Sequence, residues 1–358
     1  MTLIPPENFV ARPAVWLRTI SRYRATVSPA PNFAYGLCVN KIRDEQLDGV
    51  DLASWRVALN GAETVVPSVL RAFRDRFSRW GLAEEALTPV YGLAEAALAV
   101  TFSDPARPFE GRCFDRDALA TSGRATEATG GLELVSVGRP LPGFEMRIAD
   151  ERGREVEPGR VGRVYIRGPS VMQGYLDQPA ATAEVLQEGW LDTGDLGFVH
   201  EDQLYLTGRA KDLLIIRGRN HAPEEVECVL DGVRGVRTGC TVAVSRLREG
   251  AEGEVLLVFV EPRRGVAPSE YEALARRCSE AVLAATALAA ERVVVVAPGT
   301  LPRTSSGKLR RGETLRRYLA GELHPPRRAT PIVLAGAVAR SGLAYALMRW
   351  DNLERPAD

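Results

Sequence analysis

The sequence predicts an α/β unit, then a small antiparallel β-barrel, then a compact α+β domain, on three observations along its 358 residues. The first hundred residues alternate helix and strand patterns. From about Pro105 to Leu206 the texture changes to short β runs punctuated by glycine and proline, and after Gly208 longer helices and apolar strands return. These shifts place segments at 1–104, 105–207 and 208–324, with a linker and a tail helix at 325–358.

In the first segment Val66, Val69, Leu70, Phe73, Phe77 and Trp80 form a helical stripe, with Pro67 near its start and Gly81 as its stop. Val57–Leu59 before it and Leu87–Tyr91 after it read as buried strands that feed loops at Gly61 and Gly92, where ligands of α/β sheets bind. The barrel rests on the runs 133–137, 144–148, 163–166 and 203–206. In the third segment, strands at 213–216, 255–260 and 292–296 alternate with helices over 223–230 and 269–287. Pro325-Pro-Arg-Arg looks like a linker, and 331–350 like a terminal helix or the approach to a carrier domain.

Charge excludes some classes of function. Lys plus Arg and Asp plus Glu both total 46, so no global field draws nucleic acid or an anionic membrane, and any anion must be bound locally. The five cysteines form no C-x-x-C pair and stand with only three histidines, which argues against a zinc site or a disulfide framework. The N-terminus has no basic region followed by an apolar one, and the apolar run 329–339 stops at Arg340, short of the ~20 residues of a membrane span. A cytoplasmic location is the expectation.

Four segments in order carry a resemblance: Asn60-Gly-Ala-Glu63; Tyr91-Gly-Leu-Ala-Glu95; Thr193-Gly-Asp195-Leu-Gly with Gly208-Arg209-Ala-Lys211-Asp and Arg217-Gly-Arg-Asn-His221; and Leu301-Pro-Arg-Thr-Ser-Ser-Gly-Lys308. From about Phe9 to Leu323 the chain resembles the superfamily of acyl-CoA synthetases, adenylation domains and luciferases, and within it the fatty-acyl-AMP ligases. Pro31-Asn-Phe-Ala-Tyr35, Asn60-Gly-Ala-Glu63 and Arg217–His221 favour that subfamily. Phe109–Gly130 falls where those ligases carry an insertion that CoA synthetases lack.

The resemblance implies ATP and Mg²⁺ as cofactors and a fatty acid as substrate. It assigns Gly61, Ala62, Glu63, Tyr91, Gly92, Asp195 and Arg209 to the nucleotide, Glu95 to Mg²⁺, Lys211 to a hinge and Lys308 to catalysis. Each residue also has a plainer reading. Tyr91 offers adenine an aromatic face or is a core tyrosine; the 61–63 loop offers backbone groups to the base or is an ordinary turn. Glu95, at the mouth of an expected helix, suits a hard cation or a helix N-terminus. Ala94 stands where related families have threonine, a departure fatty-acyl-AMP ligases share. Asp195, in a turn between β runs, is implied to accept from both ribose hydroxyls or is a turn acid; Arg209 contacts ribose or phosphate or is a surface charge. Lys308, flanked by Arg303, Arg310 and Arg311, either neutralises the α-phosphate or belongs to a solvated basic patch.

One part of the pattern is missing. Complete relatives bind the β- and γ-phosphates on a Ser/Thr/Gly-rich loop with a lysine, and nothing between Met1 and Tyr35 is of that kind. The expectation is therefore a truncated adenylate-forming fold, inactive alone or paired with a separate N-terminal half. The expected function is activation of a fatty acid to acyl-AMP and transfer to the phosphopantetheine thiol of an acyl carrier protein, in lipid or polyketide biosynthesis. An acyl-CoA ligase and a non-catalytic remnant or scaffold stay open beside it.

Overall fold

The computed structural model describes residues 1–247, 254–304 and 308–325; the helix expected over 331–350 lies outside them. The chain begins with α1 (Pro6–Ala11), α2 (Ala14–Tyr23), β1 (Val27–Ala30), α3 (Asn32–Lys41), β2 (Val57–Asn60), α4 (Pro67–Phe77), β3 (Leu87–Tyr91) and β4 (Thr101–Phe102). β1, β2 and β3 are parallel, with Val27 opposite Val57 and Ala58 opposite Leu87, as crossovers through helices require. α4 starts on Pro67, where a missing N–H costs nothing, and buries Leu70, Phe73 and Phe77; a 3₁₀ turn, Ser78–Trp80, finishes it. Those rings meet Trp16 of α2, Tyr35 of α3 and Trp55. Trp16–Tyr35 and Tyr35–Phe73 lie edge to face at 5.3 and 5.0 Å. Each fully buried ring contributes about 1.5–3 kcal/mol, so this cluster fixes the end of β2. The Tyr35 hydroxyl also donates to the Leu59 carbonyl at 2.9 Å.

Next come β5 (Gly111–Phe114), α5 (Arg116–Ser122), β6 (Leu132–Val135), β7 (Arg139–Pro140), β8 (Glu145–Ala149), β9 (Gly162–Arg167), α6 (Pro179–Val185), β10 (Leu186–Gln187), β11 (Trp190–His200) and β12 (Gln203–Arg209). Every pairing here is antiparallel, as the short punctuated runs predict, and the main sheet, in order β10-β11-β9-β8 with β12 on β11, is a half-barrel. β7 leaves it to pair with β4, so the first sheet runs β1-β2-β3-β4-β7 and recruits residues beyond position 104. The β5–β6 hairpin packs by Phe114 against Phe198 and Tyr205, at 5.0 and 5.4 Å.

The last elements are β13 (Leu214–Ile216), β14 (Arg219–His221), α7 (Pro223–Asp231), β15 (Val236–Leu247), β16 (Glu254–Pro262), α8 (Tyr271–Thr286), β17 (Ala290–Val295) and α9 (Arg311–Leu319). They form a sheet in order β14-β13-β16-β15, with β17 on β16, and α7 and α8 bury Val226, Leu230, Leu274, Cys278 and Val282 on it. Of these elements β14, β15 and α9 were not expected from the sequence. β15 is paired with β16 from Val236 to Leu247 although Gly239 and two arginines, Arg237 and Arg246, interrupt its apolar pattern; its register shifts between Val236 and Thr241. α9 carries three arginines and one buried side chain, Thr314, too thin a stripe to read. Among the described residues no helix is long and apolar enough to cross a membrane.

Candidate active site

Three strand ends build the site. β2 ends at Asn60, which is fully buried; its Nδ2 donates to Asn32 Oδ1 at 3.2 Å, and that oxygen also accepts from the Val66 amide at 3.1 Å. The Phe33 amide donates to Glu63 Oε1 at 2.6 Å. The start of α3 thus fastens the loop Gly61-Ala62-Glu63 from both sides. It holds Ala62 at a φ of 68°, a left-handed conformation that costs alanine about 1–2 kcal/mol. Asn32 was missed as a functional support; its signal was a polar pair, Asn32 and Asn60, on otherwise apolar stretches. Glu63 keeps surface exposure, yet crowding of its carboxylate raises its pKa, while the Phe33 amide and then the charges of Lys308 and Arg303 lower it. Arg303 Nη2 donates to the Gly239 carbonyl at 2.9 Å, and Gly239 lies against Phe33, whose amide holds Glu63, so this part of the last subdomain faces the Glu63 loop.

β3 ends at Tyr91-Gly92. A Cβ on Gly92 would fall 1.4 Å from the Leu98 carbonyl oxygen, so only glycine lets the chain fold back there. The expected helix after it is a single 3₁₀ turn, Ala94–Ala96, because Ala97 and Leu98 take positive φ and reverse the backbone. Glu95 sits in that turn rather than at a helix mouth. Its Oε1 accepts from the Tyr175 hydroxyl at 2.9 Å, and its carbonyl from the Met172 amide at 2.7 Å.

Asp195 also stands differently from expectation. It lies inside β11, not in a turn between strands: the register with β9 shifts between Asp192 and Leu196, and Gly194 takes a φ of 72°. A bulge re-aims the side chain without ending the strand. Asp192 Oδ1 accepts from the Gly194 amide and Thr193 Oγ1 from the Asp195 amide, at 2.9 and 3.1 Å, which fixes the bulge. Asp195 Oδ2 then accepts from the Tyr91 hydroxyl at 2.6 Å and Oδ1 from Arg209 Nε at 2.9 Å.

Tyr91, Asp195 and Arg209 are thereby brought into one cluster. Tyr91 is only 6% exposed, packed with Ala96, Val100 and Val137, so its open aromatic face is not present in this conformation. Burial and then the Asp195 charge raise its pKa and keep the hydroxyl a donor. Each Asp195 oxygen retains one free acceptor position. Lys211 is exposed in the 3₁₀ turn Ala210–Asp212 that joins β12 to the last subdomain. Lys308 is exposed, and its backbone is stapled to Thr304.

The segment 109–130 lies between the half-barrel and the last subdomain. Arg116 Nη1 donates to Glu225 Oε2 at 2.5 Å, and Arg219 Nη1 to Asp117 Oδ1 at 2.7 Å. Beside these pairs His221 is 5% exposed with neither ring nitrogen hydrogen-bonded, and burial lowers its pKa. Among the described residues no three His, Cys, Asp or Glu side chains are placed to hold a metal ion. Glu95 offers a single carboxylate, which fits Mg²⁺ when phosphates and water supply the other ligands.

Residues 1–176 match the family of AMP-binding enzymes. The chain is 36% identical to a 4-hydroxyphenylalkanoate adenylyltransferase of Mycobacterium tuberculosis, over 89% of this chain and 54% of the relative. It is also 36% identical to the long-chain-fatty-acid–AMP ligase FadD23 of the same species, over 89% of this chain and 56% of that one. A solved structure from a study of the fatty acyl-adenylate ligases of E. coli and L. pneumophila superposes with a TM-score of 0.81 at 35% identity, covering 88% of this chain and 57% of that chain. The chain spans about half the length of the curated relatives it matches.

Proposed function

From a chain that belongs to the family of AMP-binding, adenylate-forming enzymes, we propose a part in the ATP-dependent activation of a fatty acid to acyl-AMP and its transfer to an acyl carrier protein. The observation that carries this reading is Asp195, held between the Tyr91 hydroxyl and Arg209 with one acceptor position left on each oxygen, the arrangement two ribose hydroxyls need. The 61–63 loop supplies backbone groups to the base. Lys308 brings a positive charge from the other side of the site, suited to an α-phosphate whose charge grows in the transition state. Bound through Glu95 and the phosphates, Mg²⁺ would neutralise charge on the leaving pyrophosphate.

The carrier as acceptor is supported by the position of segment 109–130. Its two ion pairs to the last subdomain resist the rotation at Lys211 that would open a different face to a thiol. Because nothing between Met1 and Tyr35 is a Ser/Thr/Gly-rich loop with a lysine, the transfer half-reaction is the direct one to assay. The chain is mixed with preformed decanoyl-AMP and either CoA or phosphopantetheinylated carrier protein, and products are read by mass spectrometry. The expected product is decanoyl-carrier, with CoA acylated at least tenfold more slowly. Equal rates for the two thiols would overturn the acceptor assignment; failure to accelerate either above the enzyme-free rate would overturn the ligase reading.

A further inference from the structure

Lys308 stands on a segment whose two ends are tied into the last sheet by buried charge. At the upstream end the Leu301 amide donates to Glu261 Oε1 at 3.0 Å, and Oε2 accepts from Arg237 Nη1 at 2.8 Å. Glu261 is 1% exposed at the end of the apolar run of β16, a place where a carboxylate is costly and an apolar residue would serve packing as well. At the downstream end Arg311 donates from Nε and Nη2 to the two oxygens of Glu227 at 2.9 and 2.6 Å, from Nη2 to Glu224 at 2.8 Å and from Nη1 to Asp212 at 3.3 Å. Burial opposes the Arg311 charge, and its three carboxylates outweigh that and raise its pKa.

Between these ends the segment is closed on itself. The Arg310 amide donates to the Pro302 carbonyl at 3.0 Å, and the Thr304 amide to the Lys308 carbonyl at 2.8 Å. Asp212 is the residue after Lys211, so the Arg311 fork links the turn at the proposed hinge to a point three residues from Lys308. A fork that grips two elements at once transmits their orientation, which a single point charge does poorly. We propose that Glu261 and Arg311 are positioning residues: they make the Lys308 segment and the turn after Lys211 one rigid lever, so that Lys308 enters the site in a fixed place. This rests on the reading of Lys308 as the charge that faces the α-phosphate.

The test uses the 358-residue chain and a decanoyl-sulfamoyl adenosine, in which the sulfamate stands in for the acyl phosphate. Binding is measured by calorimetry, and amide hydrogen exchange is followed over 303–310. Lys308→Ala should weaken binding about tenfold, the scale of one charge-assisted contact. Arg311→Lys, which keeps the charge but cannot make the fork, should weaken it about fivefold, and should add nothing in the Lys308→Ala background. Glu261→Leu should behave like Arg311→Lys, and Glu261→Gln, which keeps an acceptor for the Leu301 amide, should restore binding. Exchange at Thr304 and Lys308 should quicken about tenfold in Arg311→Lys and Glu261→Leu, with β15 and β16 unchanged. Additive losses in the double variant, or unchanged exchange at those two amides, would overturn the positioning role alone. Binding by the parent chain that is indifferent to Lys308→Ala would instead overturn the reading of Lys308, and the exchange result would still decide whether the lever exists.

Discussion

Replacing Asp195 with asparagine tests the nucleotide site at its centre. In the parent chain Arg209 occupies one position on Oδ1 and Tyr91 one on Oδ2, which leaves two acceptor positions on a charged group. Asp195→Asn turns the oxygen facing Tyr91 into an amide nitrogen, which donates to the phenol oxygen, and it keeps the other oxygen for Arg209. The side chain is nearly isosteric and the bulge is held by Asp192 and Thr193, so the fold is preserved. The ribose fares worse: one hydroxyl loses a charge-assisted bond worth about 1.5–3 kcal/mol, and the other falls to a neutral bond worth about 1 kcal/mol. A total near 3 kcal/mol corresponds to roughly hundredfold weaker binding. Calorimetry with decanoyl-sulfamoyl adenosine and its dideoxyribose counterpart reads this directly. Loss of both hydroxyls should cost the parent chain about a hundredfold and the variant less than tenfold, because the partner is already gone. If the dideoxy compound lost equally on both proteins, Asp195 would have no ribose to bind.

Two further outcomes follow from the same geometry. Burial, followed by the Glu227 and Glu63 charges, pushes the Asp231 pKa from 3.8 up to about 6 against the bond from the Gly239 amide. A carboxyl raised in the folded state loses stability as pH climbs from 3.8 through 6, by about 3 kcal/mol. The advantage of Asp231→Asn over the parent chain in urea unfolding should therefore grow by up to that amount between pH 4 and pH 7; a difference flat with pH would refute the burial of that charge. In the latch formed by the two ion pairs between α5 and the last subdomain, Arg116 pairs with a Glu225 side chain only 10% exposed, whereas Arg219 and Asp117 are half or more in solvent. Arg116→Ala should speed trypsin cleavage after Lys211 about fivefold, for about 1 kcal/mol lost, and Arg219→Ala should change it little. Equal effects of the two variants would refute that ranking.

Where chemistry demands a particular residue type, the sequence was readable. Gly92 is recognisable because a side chain there would meet the Leu98 carbonyl, Pro67 because it starts a helix, and the ordered motifs because they carry Tyr91, Asp195 and Arg209, which the fold brings into one cluster. What the sequence hides is partnership over distance. Tyr91 and Asp195 are 104 residues apart, and nothing local says that the phenol spends its hydroxyl on the carboxylate and its ring on the core. The Asp195 bulge was read as a turn because Thr-Gly-Asp has turn chemistry; pairing with both β9 and β12 overrides that local preference. β15 escaped because its arginines and glycine break the alternation that its pairing with β16 then supplies. Glu261 escaped for the opposite reason: it ends an apolar run and reads as the strand's exit to solvent, while the fold buries it.

Acceptor choice on the proposed reading is then a matter of modest energies placed at a sensitive point. The two pairs between α5 and the last subdomain sit at a partly exposed rim, where such pairs are worth about 1 kcal/mol or less each. Together they shift a two-state rotation by about tenfold, enough to bias the hinge and too little to lock it. A thiol on a carrier protein brings a docking face whose contacts can outweigh that bias, whereas the same thiol on CoA brings only its arm and nucleotide. His221 adds a directional element, since it is buried without a partner beside both pairs and is neutral while its pKa stays depressed. Opening the latch would return it to water, so the closed state rests on burial as well as on charge. Selectivity by bias predicts partial acylation of CoA once the pairs are removed. Selectivity by a shaped pocket would leave CoA excluded, and the two origins separate on that single comparison.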